Sequence, residues 1–308
     1  MATDEGCRLG APMPISALAL TQLVDTDGAF PQQGQGTAIN TMAMVHAFAG
    51  TSPAYGASTC AGQVLRVIDH QALFSILGAT YGGDPIDNFA LPNLNQRVAV
   101  GGGPLAPPTG PGLQMTYMIA AAGGAGPAEY PMVGAIGLFA GMDPPAGWLA
   151  ADGSMLAISQ NVPLFEAIGA TFGGNGETVF QLPNLTGSAP VGAGQGPSVS
   201  IALGQQVDAG PDTPVACLGL DYLINVGGGA PPVGGNGGFP PSAAVLGEVV
   251  AYAGAAIPDG WLPADGRELS VEANEALFGV IGATFGGDGK TSFALPDLRT
   301  RLVEGGLS

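Results

Sequence analysis

Residues 277–298 read LFGVIGATFGGDGKTSFALPDL, and versions of this stretch occur three times along the chain. The other two versions begin with LFSILGATYGG at 73–83 and LFEAIGATFGG at 164–174. An identical spacing in three copies indicates an internal repeat, in which each copy is one structural unit. The second block of each copy begins six residues after the last Gly, as FALPNL at 89–94, FQLPNL at 180–185 and FALPDL at 293–298.

The repeat also extends upstream of these blocks. GMDPPAGWLAADG at 141–153 aligns without gaps with GAAIPDGWLPADG at 254–266. The first copy, GTSPAYGASTCAG at 50–62, keeps the glycines but has Ala57 in place of the Trp and Ala61 in place of the Asp. The predicted organisation is an N-terminal arm with a candidate donor strand, then three repeats of which the last lacks its terminal strand, at 1–41, 42–124, 132–229 and 244–308.

Each copy reads as a unit of short strands and one short helix. Leu164, Phe165 and Ile168 have the i, i+1, i+4 spacing of a helix face. Ser159 and Ser270 are candidate N-caps, and the Asp-Gly pairs predict tight turns of the hairpin kind. The expected fold class is mostly β with short helices (α+β). The residues expected to form the structural motif are Trp148, Trp261, Leu73, Phe74, Leu164, Phe165, Leu277, Phe278, Phe89, Phe180, Phe293, Pro92, Pro183 and Pro296.

The charge balance excludes several classes of function. The chain of 308 residues has seven Lys and Arg against 24 Asp and Glu, a formal net charge of −17. A nucleic-acid partner is not expected, because binding to phosphates needs a cationic surface. Insertion into a membrane is not expected either, since no uninterrupted apolar run reaches the length of a spanning helix. Only 10% of the residues are charged, and a surface so poor in charge is often covered by neighbours in an assembly.

The sequence contains no pattern that predicts a catalytic, cofactor or metal site. His46 and His70 are isolated from any candidate nucleophile, and the three cysteines do not form a C-x-x-C pair. Gly289-Lys290-Thr291 lacks the first Gly of a phosphate-binding loop and is interpreted as a turn. The glycine runs at 101–103 and 192–196 are interpreted as linkers. We therefore expect no enzyme activity and no cofactor, and a core position for both Trp residues.

These blocks together resemble the phage tail collar domain family, which includes the bacterial proteins called microcystin-dependent. The family pattern is a Gly-Trp and an Asp-Gly pair, then L-F-x-x-I-G-x-T-Y/F-G-G, then F-x-L-P-D-L-R. The third copy carries almost all of it, from Gly260-Trp261 to Arg299. The second copy has Thr186 in place of the final Arg, and the first copy departs most. The usual Cys before Asp-Gly is present only as Cys60.

The resemblance implies a structural role for the protein. Collar domains occur in phage tail fibres and related appendages, often as trimers, and no catalytic residue defines the family. Three copies in one chain are then similar to a single-chain version of that trimer, with three tandem collar-like domains in a pseudo-threefold arrangement.

Two strand-like segments, 113–123 and 218–228, follow the first and second copies, and none follows the third. An unassigned apolar segment with Ile15, Leu18, Leu20 and Leu23 precedes all copies, and we expect it to fill the vacant edge that the third copy leaves. Within one chain this would close a ring of three domains. Between chains it would be head-to-tail strand donation, which we favour slightly.

The predicted function is a self-assembling structural subunit of an extracellular fibre, filament or tail-like appendage, located on a virion, a tail-like particle or a cell surface. Its main expected partner is a second copy of itself. The alternative is a tip adhesin that binds a host receptor or glycan through display loops at 101–112 and 192–212.

Overall fold

The computed structural model describes residues 15–26, 42–49, 57–102, 112–121, 132–141, 143–196, 199–207, 215–227 and 246–305. In this part of the chain lie three α-helices of seven residues each, α1 (Gln71–Leu77), α2 (Val162–Ile168) and α3 (Glu275–Ile281), and two 3₁₀ helices, Val67–Asp69 and Ile158–Gln160. The strands, in chain order, are β1 (Ser16–Asp25), β2 (Met44–Phe48), β3 (Ala57–Thr59), β4 (Val64–Arg66), β5 (Asn88–Ala90), β6 (Ala99–Gly101), β7 (Leu113–Ala120), β8 (Ala135–Phe139), β9 (Trp148–Ala150), β10 (Met155–Ala157), β11 (Val179–Gln181), β12 (Ser188–Gly192), β13 (Gly194–Gln195), β14 (Ser200–Ile201), β15 (Gln206–Val207), β16 (Ala216–Asn225), β17 (Glu248–Tyr252), β18 (Trp261–Pro263), β19 (Glu268–Ser270), β20 (Ser292–Ala294) and β21 (Arg301–Gly305).

The centre of the molecule is a triangle of three equivalent strands, one from each repeat. β2 pairs antiparallel with both β8 and β17, and β8 pairs antiparallel with β17. Each strand contributes one half of its length to each neighbour, so the triangle is closed. All three strands are almost completely buried, which is why they read as apolar runs rather than alternating patterns. The fold is mostly β with short helices, and its three tandem repeats are arranged with pseudo-threefold symmetry.

Three long strands, β1, β7 and β16, link neighbouring repeats around this triangle. β7 leaves the first repeat, lies parallel to its last strand β6, and then pairs antiparallel with β8 and β9 of the second repeat. β16 makes the equivalent pairings with β12 of the second repeat and with β17 and β18 of the third. Each long strand therefore belongs to two repeats.

The N-terminal strand β1 fills the third of these positions. It lies parallel to β21, with Ser16 to Leu20 opposite Arg301 to Gly305, and it pairs antiparallel with β2 and β3 of the first repeat. The first and third repeats are thus joined by the segment that the third repeat lacks. Within this single chain, β1 closes the ring. Donation between chains stays a prediction.

Each repeat has an outer layer that packs on this ring. α1, α2 and α3 each bury a Leu and an Ile or Leu toward the centre. The second residue of each Leu-Phe pair packs at a tilt against the Phe of the following strand, with ring centroids 5.4–5.5 Å apart. A two-stranded sheet, β4–β5, β10–β11 or β19–β20, places that second Phe in the core.

Two local predictions are wrong. The Asp-Gly turns exist, with Gly153 at φ 81° and Gly266 at φ 77°, but they do not close hairpins, because the strands on either side of each turn pair with different partners. Ser159 and Ser270 are not N-caps. Asn161 and Asn274 hold that position, and their side-chain amides donate back to the backbone oxygens four residues earlier.

The Gly-Gly turns after the helices are closed by a short polar side chain. Oδ1 of Asp288 accepts backbone N–H groups from Lys290, Thr291 and Ser292 at 2.7–2.9 Å. These donors lower the pKa of Asp288, and Asp84 and Asn175 close the equivalent loops in the same way. Gly-Lys-Thr is therefore part of a turn.

The glycine runs are not simple linkers. Gly101 ends β6 and Gly192 ends β12, each where the next repeat comes close. A Cβ on Gly101 would overlap the backbone oxygen of Leu185, and one on Gly192 would overlap that of Leu298. Beyond Gly192 the chain forms β13, β14 and β15. Part of the stretch predicted to be a display loop is therefore strand.

Candidate functional site

The predicted motif residues lie in the cores of the three repeats. Trp148 and Trp261 are buried and begin β9 and β18, where they pair with the ends of β7 and β16. The three motif prolines occupy equivalent turns, and their backbone oxygens accept hydrogen bonds from Gly62, Gly153 and Gly266. The motif thus builds the scaffold.

The predicted assembly residues lie in the junction between the first and third repeats. Leu20 and Leu23 are buried, Leu18 is half-buried, and Ile15 is buried in a separate cluster formed by the terminal strands. Leu18 and Leu20 contact the core of the third repeat, and Leu23 packs on Phe48 of the first. The segment that we expected to fill the vacant edge therefore packs, in this structure, on repeats of its own chain.

A buried ionic network occupies the same junction. His46 of β2 lies between two carboxylates, with Nδ1 at 2.9 Å from Oε1 of Glu248 and Nε2 at 3.0 Å from Oδ2 of Asp25. Asp25 belongs to β1 and Glu248 to β17, so one residue comes from each of the three strands that meet here. All three side chains are at most 4% exposed.

The carboxylates decide the charge of the histidine. Burial alone would lower the pKa of His46, but the charges and hydrogen bonds of Asp25 and Glu248 outweigh it and raise the pKa to about 10. The imidazolium therefore donates from both ring nitrogens at neutral pH. Burial raises the pKa of Asp25, against the opposing effect of His46.

The network occurs at one of three equivalent junctions. The other two junctions have no such group at the equivalent positions. At the junction of the first and second repeats, Gly137 replaces His46, Met44 replaces Glu248 and Ala120 replaces Asp25. At the junction of the second and third repeats, Val250 replaces His46, Ala135 replaces Glu248 and Asn225 replaces Asp25. In the second repeat, a Cβ on Gly137 would lie 2.7 Å from the Trp148 ring. The first repeat has Ala57 instead of that Trp, so the space next to His46 is not taken by an indole.

A small cavity lies where the three repeats meet. It has a volume of about 60 Å³ and is lined by equivalent residues of all repeats, including Gln22, Tyr117 and Tyr222. The Tyr117 hydroxyl donates to the backbone oxygen of Ala99, and that of Tyr222 to Pro190, at 3.2 Å each. Gln22 stands where a third Tyr would fill the space.

Two wider grooves lie between successive repeats. One, of about 200 Å³, is lined by Gly192, Asp221, Asp265 and Arg299, and an equivalent groove of about 230 Å³ lies between the first and second repeats. Side-chain hydrogen bonds from Arg267 lower the pKa of Asp265, and those from Arg299 lower the pKa of Asp297. Within each pair, the Asp and the Arg satisfy one another's charge and hydrogen bonds at the rim of the groove.

Among the described residues, no group of three or more His, Cys, Asp or Glu side chains is arranged so that it could hold a metal ion. No helix among them is long and apolar enough to cross a membrane. Cys7, one of the three cysteines, lies outside the described residues, as does most of the predicted display loop at 101–112.

Sequence reasoning missed the ionic network. His46 and Glu248 are 202 positions apart, and neither residue type is shared with the equivalent positions of the other repeats. One signal was available. The segment AMVHAFAG aligns with VGAIGLFAG and LGEVVAYAG, so a histidine and a glutamate stand in strands that are otherwise apolar.

Comparison with known families agrees with the repeats. The model of the phage tail collar domain matches residues 43–99, 134–190 and 247–303. Each match runs from a strand of the central triangle into β6, β12 or β21, and together they cover more than half of the chain. No curated protein and no solved structure matches.

Proposed function

Because the chain belongs to the phage tail collar domain family, we propose that it is a non-enzymatic structural subunit of a phage tail fibre or a related tail-like appendage. The family is a tail-associated, structural one. The proposed location is therefore a virion, a tail-like particle or the surface of a cell that carries such an appendage. We propose a second copy of the chain as the main partner.

The observation that carries this proposal is the closed ring. Three repeats share one triangle of strands, and β1 completes the third repeat. A single chain thereby supplies a unit with approximate threefold symmetry and no vacant collar position. Such a unit suits stacking on the axis of a fibre, because its ends present similar faces from all three repeats.

The outer face of the first repeat supports self-association through a surface. Val64, Ile68 and Ile86 are 63%, 66% and 82% exposed. The equivalent residues of the third repeat are charged: Glu268, Glu272 and Lys290. Only the first repeat has large apolar side chains at all three of these positions, and several exposed apolar side chains on one face are typical of a contact surface.

Electron microscopy of the purified chain tests assembly. We expect ordered oligomers or fibres from the parent chain, and fewer from a variant with Val64→Glu and Ile68→Glu, which copies the third repeat. Met155→Glu, at the position of Val64 in the second repeat, is the matched control and should assemble normally. Equal assembly of all three proteins would exclude this face as the contact.

Immunogold labelling of producing cells and their particles tests location. Label on tail-like particles or surface appendages is the expected result, and label confined to the cell interior would overturn the proposed function. Discrete particles that bind glycans in an array, without any polymer, would favour the tip adhesin instead.

A further inference from the structure

We propose that Asp25, His46 and Glu248 form an electrostatic lock that assigns strand β1 to the junction between the first and third repeats and excludes β7 and β16 from it. The lock goes beyond the proposed function, because it concerns how the ring selects its own strands.

The chain needs such a selection because its three long strands are built alike. β1, β7 and β16 each lie parallel to a terminal strand and antiparallel to a strand of the triangle, in the same register. Backbone hydrogen bonds alone do not distinguish them. A long strand of one chain could therefore enter the wrong junction of its own ring or of a second copy.

The ionic network makes the choice unequal. If β7 or β16 occupied the first junction, Ala120 or Asn225 would replace Asp25, and the His46 imidazolium would lose one of its two carboxylates. If β1 occupied another junction, Asp25 would be buried beside Gly137 or Val250, with no cation. Removing one partner from a buried ion pair is strongly destabilising, whereas replacing the whole group by apolar residues is often neutral.

The positions of the three residues also suit this role. They come from three segments that are distant in sequence and meet only when β1 is in place. Cys60, whose pKa is raised first by burial and then by the charge of Asp25, is a further titratable group near the network, and Arg97 lines the same cavity as His46. Cys60 is a neutral thiol and cannot replace a carboxylate or an imidazolium.

A disulfide trap in the full chain tests the lock. Ala19 and Glu304 are register partners in β1 and β21, so cysteines there crosslink within one chain only when β1 is in its own junction. The parent carries Ala19→Cys and Glu304→Cys, with Cys7→Ser to remove the thiol outside the described residues. The protein is unfolded in denaturant, refolded at low and high concentration, oxidised, and run on a denaturing gel without reductant.

The decisive variant replaces the lock by small apolar residues: Asp25→Ala, His46→Val and Glu248→Ala. We expect it to fold, but with a fraction of chains lacking the intrachain crosslink that is roughly tenfold higher than in the parent. Asp25→Asn, which copies Asn225, is a second variant that removes only one carboxylate, and it should also raise the fraction of chains that lack the intrachain crosslink. Val250→Ala weakens the equivalent position of the third repeat without touching the lock, and it should keep the parental crosslink.

Complete intrachain crosslinking of both lock variants at high concentration would overturn the proposal. An equal loss of the intrachain crosslink in Val250→Ala would also overturn it, because the loss would then reflect lower stability of the ring and not the missing ionic network. The gel reports the position of β1 whether or not the rings go on to form an appendage, so it separates this inference from the proposed function.

Discussion

At the scale of single residues, the three junctions show which side chains depart from the symmetry. Tyr117 and Tyr222 close two sides of the central cavity, and Gln22 leaves the third open. We predict that Gln22→Tyr fills this space, with its hydroxyl donating to the backbone oxygen of Val303, the equivalent of Ala99 and Pro190. The added burial should raise the thermal midpoint by roughly 2 °C.

The measurement is a thermal melt followed by circular dichroism. The reverse change at an equivalent position, Tyr117→Gln, is the control and should lower stability by about 2–4 kcal/mol, since it removes a buried ring. A lower midpoint for Gln22→Tyr would show that the cavity cannot admit a ring.

The charge of His46 gives a second prediction at this scale. Its folded pKa of about 10 lies above the ordinary histidine pKa of 6.5, so its stabilising contribution is fully present below pH 6.5 and is lost as the pH rises through 10. The pKa of Asp25 is also raised in the fold, so mild acid does not remove stability through that carboxyl. The junction should therefore be sensitive to alkali.

To isolate this effect, the free energies of unfolding of the parent and of the apolar lock variant are compared. Both contain Cys60 and the buried tyrosines, which also titrate at high pH, so the difference between their unfolding free energies reports mainly the ionic network. We expect that difference to shift against the parent between pH 6.5 and 10. A difference that is constant over this range would mean that His46 is not charged in the fold.

At the scale of elements, the contacts between repeats depend on missing side chains. Gly192 ends β12 directly against the backbone oxygen of Leu298, so Gly192→Ala must push the second and third repeats apart. We predict a loss of about 3 kcal/mol in the free energy of unfolding, measured by denaturant titration.

Gly279→Ala is the matched control for that change. Gly279 lies within α3, and nothing stands within 4 Å of an added Cβ. The same chemical change should therefore stabilise the protein by about 1 kcal/mol through helix propensity. Opposite signs for the two variants would separate close backbone approach from a general effect of glycine.

Prediction from sequence succeeded for elements whose cause is local. The helix face at Leu164 and Ile168 follows from spacing, and the Asp-Gly turns follow from glycine at positive φ. It failed where the cause is a distant partner. Asp152-Gly153 predicts a turn correctly, but the strand before it pairs with β7 of the preceding repeat, and no local pattern specifies that partner.

The same limit applies to the ionic network and to ring closure. His46 alone gives no sign that Asp25 and Glu248 will surround it, because the three residues share neither a motif nor a spacing. The vacancy after the third repeat was visible from counting strands. The sequence does not show whether β1 fills this vacancy in its own chain or in a second chain, because β1 would pair with the same strands in either arrangement.

At the scale of the whole molecule, β1 is the segment on which closure depends. We predict that deletion of residues 1–26 destabilises the third repeat and exposes three edges, namely the sides of β21, β2 and β3 that pair with β1. Unpaired edges recruit strands from other molecules, so the truncated chain should form oligomers in light scattering at concentrations where the parent is discrete.

Addition of a peptide of residues 15–26 should reverse this association, whereas the same peptide with Asp25→Ala should do so less well, because His46 and Glu248 would remain without their third partner. A truncated chain that stays discrete and melts at the parental temperature would show that the ring is held by the triangle of β2, β8 and β17 alone.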